Sequence, residues 1–193
     1  MYALYHAPGS SSMAVHIGLH EAGVPFETRL IRFDRREADP PEFRALNPEG
    51  KVPTLVIDGR PLTEVAGILW YLARRHPEAA LLPAGDAEAE ARVVSWMSFI
   101  ASSIHPARRQ GEAHAQAVYR IADQRLGAGP WVVGSYSIAD VHLFRLFWRF
   151  RDLLGADPAT FVNLTAHHER MLQRPAVRAT LAADAAFGYA LPA

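Results

Sequence analysis

The chain of 193 residues is half hydrophobic, balances 20 basic against 20 acidic side chains, and contains no cysteine. Zero net charge leaves no global field to attract nucleic acid or a membrane surface, no apolar run approaches the roughly 18 residues that span a bilayer, and the N-terminus lacks a basic-then-apolar signal pattern, so a cytoplasmic protein is expected. Without cysteine there is no disulfide, no thiolate nucleophile and no Cys-bound zinc, and any thiol chemistry must use a thiol brought by a ligand.

The first 77 residues alternate strand and helix signals, and the rest reads as almost wholly helical. Ala3–His6 is a short candidate strand, and the stretch YHAPGSSS at residues 5–12 places hydroxyls at a strand-to-helix turn. Val15, Leu19 and Ala22 recur at helical spacing until Gly23 and Pro25 stop the helix. Phe26, Thr28 and Leu30 alternate with Glu27 and Arg29 as a half-buried strand does. Residues 40–46 predict a short helix, and Asp58-Gly59 predicts a tight hairpin whose first strand is Thr54–Ile57. A third helix follows with Glu64 in its first turn. It ends in Arg74, Arg75 and His76, cations suited to a helix C-terminus, and Pro77 stops it. Residues 78–86 read as a linker. Beyond it Val93, Met97, Ile100 and Ile104 line one face of a long helix starting near Ala87. Further helices fit Glu112–Leu126, a segment from near Ser137, Ala159–Gln173 and Ala176–Ala183. Ser137 and Asp140 have the spacing of a capping box and read as structural.

Two stretches point to chemistry. Residues 46–55, LNPEGKVPTL, place Pro53 at the head of an apolar strand, and residues 62–72, LTEVAGILWYL, start a helix directly after the hairpin. A proline-gated strand edge beside a helix N-terminus suits an extended peptide bearing a carboxylate. The edge offers backbone hydrogen bonds, and the helix start offers free N–H donors. Together with Ser137-Ile138-Ala139-Asp140, these stretches stand in the order and spacing found in cytosolic glutathione S-transferases. The chain resembles that family over nearly its whole length, nearest the bacterial beta-like classes, but lacks their catalytic cysteine. The resemblance implies an α/β, thioredoxin-like N-terminal domain over residues 1–77, the linker, and an all-helical C-terminal domain over residues 87–193.

The resemblance also implies a site. A cis bond before Pro53 would turn the backbone of Val52 outward to pair with the cysteinyl part of glutathione. Glu64 would take the α-ammonium group, the Val65 N–H the γ-glutamyl carboxylate, and Lys51 the glycyl carboxylate. Hydrogen bonds donated to sulfur lower a thiol pKa from its ordinary value of about 8.5. Three hydroxyls compete to supply one: Ser10 first, then Ser11, then Tyr5. Ser12 is better placed to cap the first helix. His105 aligns with a histidine that faces the sulfur in the beta class, and Arg108 and Arg109 follow it on the side of the second substrate.

The implied reaction is transfer of the glutathione thiolate to a small hydrophobic electrophile, by a homodimer with helices near residues 64–75 and 88–105 at its interface. Glutathione is then the co-substrate and no metal is required: His167 and His168 are adjacent, and neighbouring helical residues point to different faces. A glutathione-dependent peroxide or disulfide reductase and a non-catalytic interaction module are the alternatives. The stretch between His105 and Glu112 is shorter than in beta-class relatives, which implies an open second-substrate pocket. Residues 10–17 read SSSMAVHI, not the S-S-C-x-W-R-V-R of maleylacetoacetate isomerases, so the resemblance does not extend to that reaction.

Overall fold

The computed structural model describes residues 1–32, 39–155 and 158–190. It divides into two compact units, one of residues 1–79 together with residues 179–190, the other of residues 80–178. The segment 179–190 therefore packs with the first unit.

The first unit is built on a four-stranded sheet with the order β2-β1-β3-β4. Strand β1 (Tyr2–His6) leads into helix α1 (Ser12–Glu21), then β2 (Phe26–Leu30), which runs parallel to β1. The short helix α2 (Pro41–Leu46) precedes β3 (Thr54–Ile57) and β4 (Arg60–Thr63), an antiparallel hairpin whose first strand also pairs antiparallel with β1. Its turn places Asp58 at φ 47° and Gly59 at φ 83°, the positive angles that a two-residue hairpin requires and an Asp-Gly pair supplies. Helix α3 (Val65–Arg75) closes the β-rich part. Strand side chains alternate between faces. Tyr5 accordingly joins Phe43 of α2 and Ile31 in one buried cluster, while His6, one residue on, meets His16 of α1 on the other face.

In the second unit, α4 (Ala87–Phe99) passes through a π-helical stretch, Ile100–Ile104, into the single turn α5 (His105–Ala107). Helix α6 (Glu112–Leu126) has the expected limits, and α7 (Ile138–Phe150) runs through the core with residues from Ile138 to Trp148 buried. Helix α8 (Val162–Leu172) begins later than the sequence predicts, because the preceding Pro158–Phe161 forms a tighter 3-10 turn. Its first-turn donors meet an acid from another helix: the Leu164 N–H donates to Asp123 Oδ1 at 2.8 Å. The last helix, α9 (Pro175–Ala186), runs three residues beyond its predicted end at Ala183.

The capping box of α7 forms as predicted. The Asp140 carboxylate is fully buried and accepts four bonds: Ser137 N–H at 2.9 Å, Ser137 Oγ–H at 3.0 Å, Val132 N–H at 3.0 Å and His167 Nε2 at 3.1 Å. Removing the carboxylate strands several buried donors at once. Asp140→Ala should therefore cost about 3 kcal/mol, seen in thermal unfolding as a fall in Tm of about 6–12 °C. A shift below about 2 °C would show that the box is dispensable.

Candidate functional site

One row of the sheet gathers the segments that the sequence singled out. Thr54 pairs with Tyr5 on one side and with Thr63 on the other. One step beyond that row lie the end of β1 with the loop carrying Ser10, the Val52-Pro53 bond, and Glu64 with the start of α3. Residues far apart in sequence thus leave the same edge of the sheet together.

Each segment is held by local chemistry. The peptide bond between Val52 and Pro53 is cis. Buried Asn47 organises the loop before it, donating from Nδ2 to the Lys51 carbonyl at 2.8 Å and to Thr54 Oγ1 at 3.0 Å. Its Oδ1 accepts the Glu49 N–H at 3.2 Å. The side chain of Val52 packs against the Tyr5, Ile31 and Phe43 cluster, so only its backbone is left to serve a ligand. Lys51 is exposed and pairs with Glu49.

Glu64 stands just before α3 rather than inside its first turn, at φ 66° and ψ 124° with its side chain exposed and making no cap hydrogen bond. A non-glycine residue at positive φ is costly and concentrates where surrounding structure and function require it. The first intrahelical bond here is Ile68 N–H to the Glu64 carbonyl, at 2.9 Å. The N–H groups of Val65, Ala66 and Gly67 therefore have no partner within their own helix, and they lie at the positive end of the helix dipole.

The serine loop differs from expectation. Ser12 does not cap α1; it is the first residue of that helix and is fully buried. Its Oγ accepts the Ala7 N–H at 3.1 Å and contacts His6 Nδ1 at 2.9 Å and Ser10 Oγ at 2.7 Å. Capping falls to Ser10, whose Oγ accepts the Ser12 N–H at 3.2 Å. Ser11 occupies the N-cap position but makes no side-chain cap bond. Tyr5 is turned away from this loop by strand alternation. Its ring stacks on Phe43 at 4.9 Å, and its hydroxyl accepts from Arg29 Nη1 at 3.0 Å and lies 3.4 Å from Glu42 Oε1.

His6 and Asp184 escape a reading of the sequence. His6 Nε2 lies 2.6 Å from Asp184 Oδ1, both side chains fully buried, and Asp184 Oδ2 accepts the Gly9 N–H at 3.0 Å. Gly9 sits at φ 67°, and a Cβ there would fall 2.1 Å from Tyr189 Cζ, so only glycine fits beneath that ring. His6, His16 and Asp184 offer ligand atoms within 4.8 Å of one another. Both ring nitrogens of His6 and both oxygens of Asp184 are already hydrogen-bonded, however, so the trio reads as a polar network rather than a metal cage. Asp184 carries a signal that could have been used, as the one charged residue in LAADAAFG at residues 181–188.

His105, Arg108 and Arg109 belong to the second unit, on the turn following the π-helical stretch. Burial, reinforced by Arg145 and Arg109, lowers the His105 pKa, so at neutral pH it is an uncharged N–H donor rather than a cation. Arg108 lies over the Phe150 ring, 5.3 Å from its centroid, and Arg109 is exposed.

Two family models match the chain, glutathione S-transferase N-terminal domain over residues 10–75 and C-terminal domain over residues 96–175. Glutathione S-transferase GST-4.5 of Xanthomonas campestris pv. campestris is 30% identical, in an alignment covering 94% of this chain and 98% of that protein. The chain belongs to the glutathione S-transferase family. A sphingomonad glutathione S-transferase solved in complex with glutathione is 32% identical, with a TM-score of 0.83 over 95% of this chain and 98% of that one. A maleylacetoacetate isomerase of Pseudomonas aeruginosa is 36% identical, in an alignment covering 55% of this chain and 50% of that protein. Among the described residues no helix is long and apolar enough to cross a membrane.

Proposed function

We propose that this family member is an enzyme that binds glutathione and transfers its thiolate to a small hydrophobic electrophile, working as a cytoplasmic homodimer. The observation that carries the reading is the shared sheet edge. It brings the cis Val52-Pro53 bond, the start of α3 and the loop that carries Ser10 to one end of the sheet. An extended γ-glutamyl tripeptide has complementary chemistry: an amide for Val52, a carboxylate for the N–H of Val65, an ammonium for Glu64 and a thiol for Ser10. The positive φ of Glu64 supports its role, since costly backbone of this kind concentrates at functional sites and its side chain is exposed without a cap bond. Lys51 would meet the glycyl carboxylate. Ser10 is preferred over Ser11 and Tyr5 as the sulfur donor, because the Tyr5 hydroxyl is engaged by Arg29 on the opposite face. His105, Arg108 and Arg109 are assigned to the second substrate.

Titrating the ultraviolet absorbance of the glutathione thiolate, with and without saturating protein, tests the reading directly. A bound-thiol pKa at least about one unit below 8.5 supports it, and no binding at millimolar glutathione would favour the interaction module. Glu64→Ala should raise the KM for glutathione by about 10- to 100-fold, the loss of one charge-assisted contact. A change under about twofold would remove Glu64 from the site.

A further inference from the structure

The loop proposed to meet the sulfur is held from outside by the far end of the chain. Within the loop, Ser12 Oγ accepts the Ala7 N–H at 3.1 Å and lies 3.2 Å from the Ala7 carbonyl, to which the Ser10 N–H donates at 3.1 Å. Pro8 has no N–H to give. The Gly9 N–H leaves the loop and reaches Asp184 Oδ2 at 3.0 Å. The other oxygen of that carboxylate lies 2.6 Å from His6 Nε2, at the end of β1. One fully buried carboxylate thus joins α9 both to the strand end and to the loop that follows it.

The end of α9 holds the same loop a second time. Gly188, at φ 81°, closes the helix in a Schellman turn: its N–H donates to the Ala185 carbonyl at 2.9 Å, and the Tyr189 N–H to the Asp184 carbonyl at 3.2 Å. The turn brings Tyr189 back beside Asp184, and its ring fills the space into which a side chain on residue 9 would project, with Cζ 2.1 Å from where a Cβ would stand. Gly9 is therefore fixed through its N–H by Asp184 and across its open face by Tyr189. The residues DAAFGY at 184–189 encode this pairing locally, because the Schellman turn sets the separation between the carboxylate and the ring.

We infer that Asp184 and Tyr189 are positioning residues: the closed end of α9 clamps Gly9 and thereby sets where the next residues, Ser10 and Ser11, stand relative to the sulfur. The inference rests on the proposed binding of glutathione beside this loop, and it does not depend on which hydroxyl serves the sulfur. The remainder of the proposed site is organised by other contacts, Asn47 before the Val52-Pro53 bond and the start of α3 at Glu64. A loosened clamp should therefore leave the tripeptide bound and its sulfur poorly placed. Misplacing a reacting group by about 1 Å costs up to about 100-fold in rate.

The test compares thiolate absorbance and steady-state kinetics of the whole protein with those of its variants. Tyr189→Ala and Asp184→Ala should each raise the bound-thiol pKa by about one unit and lower kcat about 10-fold, with the KM for glutathione changed less than about threefold. Tyr189 is only half-buried, so Tyr189→Ala carries the test by itself should Asp184→Ala fail to fold. Tyr189→Phe, which keeps the ring over Gly9, should rescue the alanine variant. Asp123→Ala removes a carboxylate that accepts the Leu164 N–H in the other unit, and should lower the melting temperature without moving the bound-thiol pKa. Wild-type thiolate formation with an unchanged bound-thiol pKa and kcat in Tyr189→Ala overturns the clamp and leaves the binding reading intact. Equal shifts in Asp123→Ala would trace the effect to general stability and overturn the clamp as well. Wild-type protein that forms no thiolate is a separate result, which removes the proposed activation and the clamp with it.

Discussion

Ser10→Ala is expected to raise the pKa of bound glutathione by about one to two units and to lower turnover by about 10- to 100-fold. A hydrogen bond to a charged acceptor contributes about 1.5–3 kcal/mol, and about 1.4 kcal/mol corresponds to one pKa unit. The variant also deletes the acceptor for the Ser12 N–H at the start of α1, worth about 1 kcal/mol of stability, so turnover must be compared below its shifted melting point. Ser11→Ala is the matched control. Its hydroxyl makes no cap bond, and its removal should change turnover by less than about threefold if Ser10 is the donor. Reversed effects would move the assignment to Ser11. Equal turnover in all three proteins would mean that backbone groups alone activate the sulfur, as a peroxide or disulfide reductase of this fold would require.

Acid should unfold the protein steeply, and buried histidines contribute to the slope. Burial, with help from neighbouring positive charge, lowers the pKa of His142 to about 3, and burial chiefly does the same for His16. In the unfolded chain both return to about 6.5. Above that value neither state binds these protons, so the full stability is present. Below it the unfolded state binds two more protons than the folded one, and stability falls until the folded pKa values are reached. The expected slope is about 2.7 kcal/mol per pH unit between pH 6 and 4. His20, His105 and His168 are shifted in the same direction and add to it. Urea unfolding at pH 7, 6 and 5 measures the slope directly. His142→Leu should remove about 1.4 kcal/mol per pH unit of it at little cost near neutral pH, since His142 Nδ1 has no hydrogen-bond partner. A stability unchanged from pH 7 to 5 would contradict buried neutral histidines.

The match between sequence and structure follows the range of the interactions concerned. The Asp58-Gly59 hairpin, the limits of α6 and the Ser137–Asp140 box all depend on contacts within a few residues, and each forms where the sequence places it. Predicted boundaries slip where a helix end is decided by packing. Helix α8 trades its first turn for a 3-10 turn, and α9 continues to Ala186. The motif around Pro53 and Glu64 was legible because its parts lie close together in the chain and in the right order.

The assignment of the three serines was not legible. Adjacent residues of one type look alike in a sequence, and their roles separate only when partners arrive from elsewhere. Ser12 is drawn inward by His6 on the neighbouring strand, which leaves Ser10 to take the N–H of Ser12. Tyr5 is turned to the opposite face by the period of two along β1, although it precedes the loop by only a few residues. The sequence by itself determined the element order, the family and the motifs around Pro53 and Glu64, because local propensity and short-range hydrogen bonding are written in neighbouring residues. The tertiary structure alone decided that Asp184 meets His6 across 178 positions. A buried hydrogen-bonded contact is specified by where two chain segments pack, and nothing in the residues flanking either partner encodes that meeting.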